Sequence, residues 1–273
     1  MSKKIAIELG SVQKTLLLPL WGRAVETRKQ KPLLVDTTAA KIINKIDYDF
    51  STIAGKMSEI TRYAWIARSL HIDRTIRHFL LKHPKATIVN IGCGLDTTFS
   101  RIDNGSLTWY DLDLPDVIKL RRNFIQEIDR STCIACSFLD ESWFRRIKVQ
   151  DNVLFLAAGV FYYFEEDQIK SFFNRLADMF LTSEIIFDAA SPLGVKMSNK
   201  KVIQASGIDE ISFLKWGIKT AKEIQLWNKR ITLLEEYPMF KGVKKGLSFK
   251  NKYGTFLSDR LNIMFIVHLQ FSK

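Results

Sequence analysis

The sequence predicts an α/β protein: a doubly wound, mostly parallel sheet with an antiparallel edge strand and a helical segment ahead of it. Three observations carry this. Short apolar or β-branched runs alternate with helix-period segments from Thr87 to Asp188, the connections between them are short, and a long amphipathic segment leads into the first run. Alternation of this kind builds parallel sheets, because each crossover must return the chain over one face of the sheet.

In Met57–His83 the apolar positions Ile60, Tyr63, Ala64, Ala67, Leu70, Ile76, Phe79 and Leu80 recur at helical spacing, and Pro84 closes the helix. Thr87–Ile91 (TIVNI) follows as a β-branched strand suited to burial on both faces. The alternation continues with a helix-like segment Asp96–Ile102, strand Leu107–Leu112, helix Asp116–Asp129, strand Cys133–Phe138 and helix Ser142–Ile147. Strand Val153–Ala157, helix Glu165–Phe180 and strand Glu184–Asp188 complete it, a Rossmann-like order. Beyond it, polar Ser191–Gly207 reads as a loop, Ile208–Trp227 as a helix, and Arg230–Glu236 and Leu261–Leu269 as strands, separated by a basic loop, that pair antiparallel at the sheet edge. Residues 1–56 are expected to form a helical lid on a catalytic domain of residues 57–273.

With 273 residues, 47% hydrophobic and 26% charged, the chain can bury a full core and is too balanced for disorder. The basic start resembles an export signal only superficially, because its longest apolar run is Leu16–Trp21 and it contains Glu8 and Lys14. No run approaches the ~20 apolar residues that span a bilayer. A cytoplasmic protein without a membrane partner is expected. Lys and Arg exceed Asp and Glu by 41 − 29 = 12. The excess is scattered, and its clusters, Lys196–Lys201 and Lys241–Lys252, sit among Gly, Ser and Asn as solvated loops. No nucleic-acid partner is therefore expected. Cys133 and Cys136 form a C-x-x-C inside a strand-like run rather than at a helix N-terminus, which argues against redox chemistry, and four histidines without a second cysteine pair argue against a metal site.

In an open α/β sheet ligands bind at the carboxyl ends of the strands. There the sequence places Gly92-Cys93-Gly94-Leu95-Asp96 after the first strand and Asp113 after the second. Bare glycine backbone lets a ligand approach, and a carboxylate accepts hydrogen bonds from both ribose hydroxyls. The pattern suits any nucleoside-containing cofactor. Thr97 stands where the third glycine of a dinucleotide fingerprint belongs, and S-adenosylmethionine, which carries no pyrophosphate, is compatible with the looser loop.

The runs TLLLPLWGRA, LLVDTTAAKIINKIDYDF, ARSLHIDRTIRHFLLKHP, VNIGCGLDTTFSR, WYDLDLPDV, SFLDESW and GVFYYFEEDQI resemble the leucine carboxyl methyltransferase family, especially its bacterial branch of small-molecule and polyketide O-methyltransferases. The resemblance implies that Arg68 binds the methionyl carboxylate, that Gly92 and Gly94 pass beside the methionine moiety, and that Asp113 holds the ribose. Asp113 also has an alternative role as a cap for the next helix. The resemblance further implies that Leu114 packs on adenine and that Ser137 and Phe138 lie at its edge, although a strand-end serine beside a core phenylalanine is an equal reading. Ala158 occupies a cofactor-binding position where relatives often carry glutamate, and Thr98 one where many carry arginine.

Tyr162 and Tyr163 are candidates to orient substrate or simply to pack, and His71 to face the pocket or the surface. No residue is marked as a catalytic base. The expected reaction is methyl transfer to a carboxylate or hydroxyl of a small molecule. Methylation of a protein C-terminal carboxylate is the alternative within the family. Loss of catalysis, suggested by Ala158, and RNA methylation, suggested by the charge, are the others.

Overall fold

The computed structural model describes residues 4–7, 15–200, 213–244 and 246–272. Near the N-terminus the two-residue strands β1 (Ile5–Ala6) and β2 (Ile46–Asp47) pair in parallel, with helices Leu17–Thr27 and Thr37–Lys45 between them and Ser51–Lys56 after. The main sheet contains β3 (Thr87–Ile91), β4 (Thr108–Asp113), β5 (Ser131–Ala135), β6 (Val153–Ala157), β7 (Glu184–Ala190), β8 (Ile231–Pro238) and β9 (Met264–Phe271). Its order is β5-β4-β3-β6-β7-β9-β8; the first five are parallel, and β9 runs antiparallel to both β7 and β8. The antiparallel strand thus lies one position in, and β8 forms the edge. The chain leaves β3 toward β4 on one side and returns to β6 on the other, so the switch point falls between β3 and β6.

Strand residues alternate between two cores, as the pleat requires. Val89, Phe155, Phe187 and Val267 face one side with Phe172 and Phe173 of helix Glu166–Met179. Ile88, Leu154, Ile186 and Ile266 face the other with Ile72, Ile76 and Phe79 of helix Glu59–Lys82. That 24-residue helix starts where Ser58 Oγ accepts the Thr61 N–H.

Four expected boundaries shift for local reasons. The helix after β4 spans only Pro115–Arg121, and the following chain turns back on Arg121, whose carbonyl accepts the Phe124 and Ile125 N–H groups. Glu141–Arg146 is a 3₁₀ turn that buries the adjacent Trp143 and Phe144. Within expected loops, Ser191 caps a helix Pro192–Ser198 and Ser248 caps Phe249–Arg260. Residues 201–207 of the first loop lie outside the described residues.

The expected helix Ile208–Trp227 is not formed over its described residues. Residues 208–212 lie outside the described residues, 213–218 have no regular structure, and only Lys222–Gln225 is helical. The N–H groups of Leu214, Lys215 and Trp216 are taken by Asn199 Oδ1 and the Tyr162 carbonyl, so tertiary partners replace the helical ones.

An internal ion network joins the N-terminal helices to the sheet domain. Asp36 is 1% exposed. It accepts from Arg23 at 2.9 Å, from Arg101 at 2.7 Å and from Thr97, and it caps helix Thr37–Lys45 through Ala39 N. Arg101 also pairs with Asp73 of the long helix through two 2.9 Å hydrogen bonds.

Candidate active site

A cavity of about 830 Å³ opens at the carboxyl ends of β3, β4 and β6. Arg68, Gly92, Gly94, Asp113, Leu114, Ser137, Phe138, Ala158, Tyr162 and Tyr163 all line it. Residues scattered over 96 positions are brought together because the parallel strands end at the same rim and helix Glu59–Lys82 carries Arg68 across it.

The glycine loop is shaped from below. Gly92 has φ +60° and Gly94 φ +48°. Fully buried Arg121 donates to the Gly94 and Asp96 carbonyls at 3.0 and 2.7 Å, and through Nη2 to Asp111 at 2.6 Å. Asp111 also accepts from Asn90 Nδ2 at 3.0 Å. Burial raises the Asp111 carboxyl above the usual carboxylate range, against the pull of Arg121.

Asp113 sits above this loop. Its Oδ2 accepts the Gly94 N–H at 2.7 Å and its Oδ1 the Leu114 N–H at 2.8 Å. Neither donor belongs to the first turn of Pro115–Arg121, whose N-cap residue is Leu114 with no side-chain cap. The capping role is therefore excluded. Burial pushes the Asp113 carboxyl up to about 6, although the Gly94 and Leu114 N–H groups oppose it.

Across the cavity Arg68 Nη1 donates to Asp188 Oδ2 at 2.9 Å and to the Tyr162 hydroxyl at 3.2 Å. Burial works against the Arg68 charge, yet Asp188 and Tyr162 leave its pKa above the ordinary arginine value. Burial also raises the Tyr162 and Tyr163 hydroxyls above the ordinary tyrosine value. His71 occupies neither expected position: it is 2% exposed, shares a 2.9 Å hydrogen bond with the Met239 carbonyl and lies outside the cavity lining.

The leucine carboxyl methyltransferase family model matches residues 17–177. The chain belongs to that family. It is similar to the tetracenomycin polyketide synthesis O-methyltransferase TcmP of Streptomyces glaucescens, with 30% identity over 235 residues covering 85% of each chain. It is also similar to the S-adenosyl-L-methionine-dependent methyltransferase dpfgK of Gibberella zeae, with 29% identity over 212 residues covering 71% of each. The plantazolicin methyltransferase BamL, solved with SAH and a triazolic desmethylPZN analogue, shares the fold at a TM-score of 0.53 and 10% identity, over 96% of this chain and 98% of that one. As a leucine carboxyl methyltransferase family member, the protein is an S-adenosylmethionine-dependent methyltransferase.

In this family member, sequence reasoning missed Asp188, Gly159, Asn90 and Arg121. Asp188 carried a readable signal, an acidic residue at the carboxyl end of a strand. Arg121 carried none, because a basic residue late in a polar helix looks like any surface arginine.

Proposed function

We propose that the protein is a cytoplasmic O-methyltransferase that transfers the methyl group of S-adenosylmethionine to a small, largely apolar molecule enclosed in the cavity. The observation that supports this best is the continuity of the polar site with an apolar chamber walled by Trp65, Leu214, Met239, Phe240, Leu261 and Met264. Bare backbone at Gly92 and Gly94, the Asp113 carboxylate and the unused N–H groups of Arg68 suit the methionyl and ribose parts of the cofactor. Leu114, 38% exposed, offers an apolar face for adenine, with Ser137 and Phe138 at its edge and Ala158 contributing backbone. Residues 1–56 serve as the cover, since Leu18, Pro19 and Arg23 line the cavity.

When bound, the cofactor supplies an already activated methyl donor, so the protein must align the acceptor and exclude water. The charged groups on the described lining are Arg23, Arg68, Asp96, Asp113, Asp188 and Lys215, and each is already engaged with a protein partner. Tyr162 and Tyr163, held protonated by burial, suit donating a hydrogen bond rather than removing a proton. The site therefore favours an acceptor that is ionised on arrival, such as a carboxylate, over a neutral hydroxyl that needs a base. Titration calorimetry should show one molecule of S-adenosylmethionine or its demethylated product per chain, and incubation with a metabolite extract should yield a product carrying one added methyl group. Absence of binding at millimolar ligand would sink the reading.

Asp113→Ala should weaken cofactor binding by about 1.5–3 kcal/mol, the scale of hydrogen bonds to a charged group. The pH dependence has a definite sign. The folded-state pKa of about 6 lies above the ordinary aspartate value of 3.8, so this group's contribution to ligand-free stability is fully present below the unfolded value and lost as pH rises through about 6. Ribose hydroxyls need the ionised form, so affinity should fall as pH drops through about 6. Asp113→Asn should flatten both trends, as calorimetry and thermal melts at several pH values would show.

The positive charge is not assigned to nucleic acid. Mobility shifts with duplex and single-stranded oligonucleotides should show nothing tighter than the non-specific level, roughly 10⁻⁶ M at physiological salt. Tighter saturable binding would overturn the small-molecule reading.

A further inference from the structure

We infer that Asp188 is the positioning residue for Arg68, and that it makes the site select adenosine ligands carrying an amino-acid carboxylate over those that end at the thioether. The inference rests on the reading of Arg68 as the carboxylate-binding group. Asp188 lies near the carboxyl end of β7 at 1% exposure and uses both oxygens: Oδ2 accepts from Arg68 Nη1 at 2.9 Å, and Oδ1 accepts the Gly159 N–H at 2.6 Å. One buried carboxylate thus ties the guanidinium to the turn that follows β6. Gly159 has φ +79°, and a Cβ there would lie 2.8 Å from Arg68 Nη1 and 3.0 Å from the Tyr162 hydroxyl. Only a glycine lets the arginine lie against this turn.

The arrangement uses one nitrogen of Arg68. Its Nη1 serves Asp188 and Tyr162, whereas Nε and Nη2 have no hydrogen-bond partner among the described residues, and the residue lines the cavity. Nε and Nη2 form the edge of a guanidinium that takes a carboxylate with two parallel hydrogen bonds. Among the described residues Asp188 is the acid paired with Arg68; Ala158, beside Gly159 in the same turn, offers only a methyl group. Orientation of the free edge therefore falls to Asp188, the charged acceptor on Nη1, with the Tyr162 hydroxyl as the neutral one.

The test measures two ligands by calorimetry on the full chain: S-adenosylhomocysteine, and 5′-methylthioadenosine, which lacks the amino-acid tail. Asp188→Asn should weaken S-adenosylhomocysteine by about tenfold or more while leaving methylthioadenosine within about twofold of wild type. Arg68→Met combined with Asp188→Asn should bind S-adenosylhomocysteine within about twofold of Arg68→Met alone, because Asp188 acts through the arginine. The double variant buries no unpaired charge, whereas Arg68→Met alone leaves Asp188 buried without its cation, so affinities are compared per folded molecule, with the folded fraction of each variant taken from thermal melts. Equal weakening of both ligands, or a further loss of about tenfold on top of Arg68→Met, would overturn the positioning role. Wild-type protein that binds neither ligand would overturn the cofactor reading as a whole, a result distinguishable from failure at Asp188.

Discussion

Arg121→Ala is expected to cost about 3–5 kcal/mol of folding stability, because it leaves the carboxylate of Asp111 buried without its cation. It should also remove the two hydrogen bonds that hold the Gly94 and Asp96 carbonyls, so cofactor affinity should fall in whatever fraction stays folded. Asp111 already titrates above the usual range, and without Arg121 it would rise further. A raised folded-state pKa contributes stability at low pH that disappears as pH rises, so the variant should be least unstable in mildly acidic buffer. Urea denaturation at acidic and neutral pH tests this. A loss below about 1 kcal/mol at neutral pH would show that water reaches Asp111 and screens it.

Gly92→Ala should have the next largest effect. A side chain at φ +60° costs about 1–2 kcal/mol. Its Cβ would also lie 2.6 Å from Val160 Cγ2, an overpacking worth about 1–3 kcal/mol more. Adding Val160→Ala should recover the second part and not the first, so the two substitutions should couple favourably when melts of all four proteins are compared. Strict additivity would mean that Val160 moves aside without cost. Cofactor binding should remain weak in the double variant, because the loop conformation is still strained.

How much of this was legible in the sequence depends on whether a signal was local. Strands β3, β6 and β7 were readable because burial on both faces demands apolar runs, and β4 and β5 because they alternate with helical segments, with Pro84, Gly92 and Pro115 as punctuation. The placement of Gly92, Gly94 and Asp113 on the cavity rim was readable because the glycines follow β3 and Asp113 ends β4. The failure at Ile208–Trp227 is instructive: its composition suits a helix, yet the N–H groups of Leu214, Lys215 and Trp216 belong to partners remote in sequence. The helix Pro192–Ser198 was overlooked although Ser191-Pro192 is a start signal, because the lysines and asparagine after it read as loop. Arg121 and Asn90 were out of reach, since their roles exist only once β3 and β4 lie side by side.

The Asp36 network also bears on how molecules come and go. Lifting the Leu17–Thr27 helix would strip a buried carboxylate of Arg23, and pulling the whole N-terminal segment away would strip it of Arg101 and Thr97 as well. Breaking such a pair on one side costs about 3–5 kcal/mol, and here several contacts would go together. That part of the enclosure is a fixed roof and not a door. The wall beside it differs in kind: Leu257 and Leu261 face the chamber and yet are 43% and 47% exposed. Among the described residues, moving these two leucines aside would break no buried ion pair, unlike lifting the Leu17–Thr27 helix.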